Sequence, residues 1–131
     1  ALALAQELVL ALGARPLLLA PERHDALVAA VSHLPYLLSI ALVRAAEATA
    51  GDDDLLWRLA AGGFRDTSRV AASSVPVMLD ILATNRAPVL AALARAGAAL
   101  DELARLLDTE DWAALQTALE AARQRRQEVF P

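Results

Sequence analysis

Residues 21–49, PERHDALVAAVSHLPYLLSIALVRAAEAT, decide the fold. Pro21 and Glu22 open a helix: proline's fixed φ suits a first turn, and an acid there faces the positive end of the macrodipole. The helix is predicted to run through His24 to about Thr49. Pro35 lies inside it, so the carbonyl of Val31 loses its N–H partner and a kink is expected there. At about 100° per residue, Asp25, Ala29, Ser32, Tyr36 and Ser39 share one narrow stripe, with His33 at its margin. The rest of the surface is Leu, Val, Ile and Ala. A polar stripe on such a helix needs hydrogen-bond partners, so it either meets polar groups in a core or lines a pocket.

The segment Ala26 to Val43 carries no charge and is just long enough to cross a membrane. Ser32, His33, Pro35, Tyr36 and Ser39 interrupt it, which fits a buried helix with a polar seam and no membrane partner. The N-terminus lacks the basic leader and cleavage site of a signal peptide.

Upstream, Ala1 to Leu12 is apolar apart from Gln6 and Glu7, and Gly13 stops it. Arg15 to Ala20 reads as a short buried strand with Pro16 holding its start to an edge. A lone strand has nothing to pair with, so residues 1–20 are expected to be the end of a preceding α/β domain or a linker. Residues 21–131 form the helical domain.

Downstream, Gly51-Asp52-Asp53-Asp54 is a solvated acidic loop whose last residues cap a short helix, Leu55 to Ala61. It lacks the alternating ligands of a calcium loop. Gly62-Gly63-Phe64-Arg65-Asp66-Thr67-Ser68-Arg69-Val70-Ala71 follows. The two glycines are expected to end the preceding helix at positive φ, Phe64 to anchor the turn, and Asp66 or Thr67 to cap a new helix. Arg69 would then sit in a first turn, where a cation is disfavoured. That placement aims it at an anion: Asp66 three residues back, or a ligand. Ser73 or Ser74 caps the next helix, with Pro76 in its first turn and a run from Val77 to Asn85 or past Pro88. Val89, Leu93, Ala96, Leu100, Leu103 and Leu107 then alternate four and three apart as a heptad seam, widened by Leu90 and Leu106. Asp108 or Thr109 starts the last helix, where Trp112, Leu115, Leu119 and Ala122 repeat the spacing. Wide apolar faces on long helices point to association across subunits.

Composition narrows the function. Hydrophobic content is 57% without alternating β-branched runs, so the chain is mainly helical. The net charge is −4 and basic residues cluster only at Arg123, Arg125 and Arg126, which disfavours a nucleic-acid partner. With no cysteine there is no disulfide, thiol catalysis or Cys-ligated zinc, as suits a cytoplasmic protein.

His24-Asp25, Ser32-His33-Leu34-Pro35, Gly62 through Ala71, Pro76-Val77-Met78, Asp80-Ile81 and Asn85 together resemble the C-terminal domain of the prephenate/arogenate dehydrogenases. The likeness runs from about Leu8 to the end, and several short motifs in register are fairly specific where one would be weak. The resemblance implies a mainly α dimerisation domain, like the C-terminal domain of 6-phosphogluconate dehydrogenase. It also implies a preceding dinucleotide-binding domain, whose last helix and strand would be residues 1–20. The implied reaction is oxidative decarboxylation of prephenate or arogenate with NAD or NADP, in a homodimer. The catalytic histidine and the nucleotide fingerprint of the family belong to the N-terminal domain, so no catalytic or cofactor-binding residue is expected in this chain. By resemblance, Arg69 binds a substrate carboxylate, His33 and Ser32 line the same pocket, and Gly62 and Gly63 admit the ligand close to the backbone. Asp66 orients its neighbours or a subunit contact. Tyr36 stands where the motif usually has a second histidine, and Leu79 where many members have Trp. Both put the choice of substrate in question.

Two other readings compete. One is a non-catalytic helical dimerisation module. The other is a metal-dependent phosphohydrolase built on His24-Asp25, which is disfavoured because no His precedes residue 24 to complete the ligand set.

Overall fold

A computed structural model describes residues 1–51 and 53–131, so Asp52 of the predicted acidic loop lies outside the described residues. Helix α1 (Leu2–Ala11) is followed by α2 (Pro21–Val28), a π turn (Ala29–His33) and α3 (Leu34–Ala50). Then come α4 (Leu55–Leu59), α5 (Gly62–Ser68), a 3₁₀ turn (Arg69–Ala72), α6 (Val75–Thr84), α7 (Arg86–Asp108) and α8 (Trp112–Val129). No strand forms among the described residues. The expected strand at Arg15 to Ala20 is irregular instead: a strand needs a neighbour's N–H and C=O groups, and no described segment supplies them.

α2, the π turn and α3 run as one helix from Pro21 to Ala50. It begins as predicted, with Ala20 extended, proline in the first turn and Glu22 beside it. By length and composition this helix could cross a membrane. The predicted break at Pro35 takes a specific form. Pro35 has no N–H, and the turn before it widens so that the Leu34 N–H donates to the Ala29 carbonyl, five residues back. A π turn inserts an extra residue into the helical count and so changes which side chains share a face. Ala29, His33, Tyr36 and Ser39 are buried, whereas Ser32 and Asp25, expected on the same stripe, are exposed. Gly51, at φ 54°, closes the helix in the left-handed region where glycine carries no Cβ penalty.

The core forms where this helix meets α7. Ala29 is 0% exposed and packs with Val89 and Ala92, bordered by Leu34, Leu37, Leu82 and Leu93. Alanine facing alanine lets the backbones approach closely. α6 and α7 meet at Asn85 with a bend of 96°. Ser74 does occupy the position before α6, but its hydroxyl makes no cap, and Ser73 Oγ instead donates to the Val70 carbonyl at 2.7 Å. The last helix is capped by Asp111, which accepts from the Ala114 N–H at 3.1 Å, and not by Asp108 or Thr109. α7 continues through Asp108, so the chain turns later than the side-chain chemistry implied. On the solvent side of α7, Arg105 clamps Glu102 with two bonds of 2.8 and 2.9 Å. The hydrogen bond from Arg105 holds the Glu102 carboxyl below its ordinary range. Any stabilisation from this exposed pair is present above that range and fades as the pH falls through the lowered value.

The heptad seam divides. Val89 and Leu93 pack inward, but Leu106 (2% exposed) takes the buried place expected of Leu107. Leu100, at 59% exposed, and Leu107 face outward, as do Trp112 and Leu119. The consequence is visible in the total accessible surface of 10278 Å². A folded monomer of 13.8 kDa is expected to show about 6,600 Å². The excess, on the order of 3,600 Å², is larger than one partner's share of most obligate interfaces, about 1,000–2,500 Å². The chain is therefore a body with uncovered apolar faces, and a 57% hydrophobic composition is spent largely outside its own small core.

The contact at Ala29 sets the spacing of the core, so Ala29→Leu should overpack it. The expected loss is about 1–3 kcal/mol of unfolding free energy in chemical denaturation. An unchanged midpoint would show that the two helices are not held at this distance.

Candidate functional site

The bend at Asn85 carries a side chain back toward the first long helix. Asn85 and His33 are 7% and 8% exposed, respectively. Asn85 Nδ2 donates to the Asp25 carbonyl at 2.9 Å and lies 3.2 Å from His33 Nδ1. One amide thus joins the α6–α7 corner, the middle of α2 and the π turn. Next to this cluster in the sequence, Ser39 Oγ donates to the Tyr36 carbonyl at 2.7 Å. No buried side-chain nitrogen or oxygen among the described residues lacks a partner. His33 Nε2 and the Tyr36 hydroxyl make no hydrogen bond among the described residues, so neither atom is fully buried.

The Gly62 segment folds differently from expectation. Neither Gly62 nor Gly63 adopts positive φ. The break before them is made by Ala60 and Ala61, which are extended at ψ 108° and −165°, and the glycines open α5 instead of closing α4. Asp66 and Thr67 lie inside α5, so neither is a cap. Arg69 follows the C-terminal end of that helix at the start of the 3₁₀ turn, which packs along α3. A cation suits that end of the macrodipole, so the dipole gives no reason of its own for an anion to bind. Nor does Arg69 pair with Asp66: Asp66 accepts from Arg65 Nε at 3.1 Å. Arg69 is exposed and has no carboxylate partner among the described residues.

Phe64 is the anchor expected of it. Its ring meets Trp57 edge-on, 6.0 Å between centroids at 69°, and ties α5 to α4. Phe64 also borders a cavity of about 610 Å³ beside the end of α3, lined by Leu42, Ala46, Leu56 and Leu59. Neither Arg69 nor His33 lines that cavity. A Cβ on Gly62 would lie 3.8 Å from Arg65 Nη2, and one on Gly63 would meet nothing within 4 Å. Ser32 and Leu79 are exposed. His24 Nδ1 lies 3.1 Å from Asp25 Oδ1, both on the surface, and no cluster of three or more metal-ligating side chains exists among the described residues. Of the predicted residues, then, His33 and Tyr36 share the buried face of one helix, while Arg69, Asp66 and the glycines are exposed on α5 and the turn after it, which pack along α3.

Asn85 entered the sequence pattern only as one of the residues that carry the resemblance, without a role; its reach to Asp25 and His33 follows from the 96° bend.

Residues 20–121 match the family described as prephenate dehydrogenase, dimerization domain. The chain is 31% identical over 122 residues to a prephenate dehydrogenase of Lactococcus lactis, covering 93% of this chain and 34% of that protein. Among solved structures it is similar to a Synechocystis arogenate dehydrogenase, at 32% identity and a TM-score of 0.89, covering 98% of this chain and 47% of that one. It is also similar to a prephenate dehydrogenase from A. aeolicus in complex with hydroxyphenyl propionate and NAD+. There the identity is 30% and the TM-score 0.79, over 85% of this chain and 39% of that one. The chain thus spans about a third to a half of the length of these relatives. Its described residues are all-helical, and it belongs to the family described as prephenate dehydrogenase, dimerization domain.

Proposed function

We propose that this chain is the C-terminal part of a cytoplasmic NAD(P)+-dependent prephenate or arogenate dehydrogenase, supplying the substrate-carboxylate site and the subunit interface. The single observation that carries the substrate part is Arg69: an exposed guanidinium, within the matched segment, with no carboxylate partner among the described residues. A guanidinium fork meets a carboxylate at two points, which a lysine would not reproduce. Tyr36 offers a neutral hydroxyl where an imidazole could carry charge, so the second polar group of its motif acts by hydrogen bonding alone. Gly62 and Gly63 leave open space at the start of α5, and a ligand seated there would meet backbone directly.

The reaction proposed for the whole enzyme removes a hydride from the ring carbon bearing the hydroxyl while the ring carboxylate leaves as CO₂, and aromatisation drives it. NAD or NADP accepts the hydride when bound. This chain does not fit a dinucleotide. Its glycines, at 13, 51, 62, 63 and 97, form no G-x-G-x-x-G. The two at positive φ, Gly13 and Gly51, follow the ends of α1 and α3 instead of opening a strand-to-helix turn. The hydride step is therefore assigned to the rest of the protein, and residues 1–20 to the junction with it. The excess accessible surface, with Leu100, Leu107 and Leu119 outward, supports a homodimer that covers α7 and α8.

In the full-length enzyme, Arg69→Ala should raise KM for the carboxylate substrate at least tenfold, about 2–5 kcal/mol of binding at the limit, with NAD(P)+ affinity little changed. An unchanged substrate KM would remove Arg69 from the site. Gly63→Ala should leave thermal stability equal or raise it by up to about 1 kcal/mol, because its φ is not positive. The same change should raise substrate KM; wild-type kinetics would mean that no ligand approaches that turn. In sedimentation, the chain should run as a dimer, and a clean monomer at micromolar concentration would contradict the interface.

A further inference from the structure

Asn85 holds two acceptors with one amide nitrogen, and the chemistry of those acceptors fixes the protonation of His33. The Asp25 carbonyl can only accept, so the Asn85 atom 2.9 Å from it must be the amide nitrogen and not the amide oxygen. The second hydrogen of the same nitrogen is then available to His33 Nδ1 at 3.2 Å. A donor in that place requires a lone pair on Nδ1. The ring proton must therefore sit on Nε2, and an imidazolium would set N–H against N–H. Burial of both side chains removes the water that would otherwise relieve such a clash. Nε2 is the atom left to open outward, since no described residue bonds it.

We infer that Asn85 is a positioning residue that locks His33 as the neutral Nε2–H tautomer, so that His33 acts on the substrate as a hydrogen-bond donor and not as a cation or a base. This rests on the proposal that His33 lines the substrate pocket. The ligand chemistry follows: Nε2–H suits an oxygen acceptor of the substrate, such as a carboxylate or hydroxyl oxygen. The π turn is part of the device. It places His33, and not Ser32, on the buried face within reach of Asn85, and Pro35 is what makes the turn widen.

The test uses the full-length protein that carries this chain, with prephenate and arogenate as probes. Nitrogen-15 spectra of labelled histidine, with His33 assigned by its loss in His33→Gln, should show His33 as Nε2–H at neutral pH. A Nδ1–H or doubly protonated ring overturns the inference. Kinetics give an independent readout, because a Gln amide can place an N–H where Nε2 sits and an Asn amide reaches only the Nδ1 position. His33→Asn should raise substrate KM about tenfold or more, and His33→Gln should recover most of that loss. Equal loss in both variants overturns the donor role. If neither variant moves KM while the spectrum shows Nε2–H, the pocket assignment of His33 has failed and the tautomer lock has not. Asn85→Ala closes the cycle: its effect on KM should vanish in the His33→Asn background. An effect that persists there would mark Asn85 as a strut of the bend only.

Discussion

Proline 35 has no N–H, and much of the architecture follows from where the chain accommodates that absence. A helix that simply kinked would have kept the count of residues per turn on either side. Instead the turn before the proline widens to a five-residue hydrogen bond from Leu34 to Ala29, and the helix continues to Ala50. The extra residue places His33 on the face that meets α7 and turns Ser32 to solvent. Ala29, the acceptor of that wide bond, is also the most buried member of the core. A single missing donor thus couples the helix geometry, the tightest packing contact and the position of the buried histidine.

The second organising feature is the corner between α6 and α7. A 96° bend would normally strand polar groups, since the ends of both helices expose backbone. Asn85 sits at that corner and directs its amide across to the Asp25 carbonyl and His33, so that the corner is tied to the long helix by hydrogen bonds as well as by leucines. Buried polar groups paired in this way specify one arrangement of helices where an all-leucine contact would tolerate several. The two devices converge on the same imidazole.

Beyond that centre the chain is unusually open. The outward leucines of α7 and α8, and α1 with no buried residue, give a surface suited to being covered. These uncovered faces accord with the match to a family described as a dimerization domain. Arg69 is exposed and receives no carboxylate from the helix it follows, where Asp66 accepts from Arg65.

Helix identity was legible from residues alone. Pro21 with Glu22, Gly13 as a stop, Pro76 in a first turn and the leucine spacing of α7 are local signals, and local signals survive folding. Boundaries that depend on competition were not legible. Asp66 and Thr67 look like caps, yet Ala60 and Ala61 break the chain earlier and the glycines become helical. Asp108 looks like a start, yet α7 runs through it and Asp111 makes the cap. The family, too, could be read from short motifs in register, because spacing along a chain is a property of sequence. What only the tertiary structure decided was facing: which of Ser32 and His33 turns inward, which of Leu106 and Leu107 is buried, and that Asn85 reaches His33 across a bend. Facing depends on where a π turn adds a residue and how sharply two helices meet, and neither quantity is written in the order of side chains.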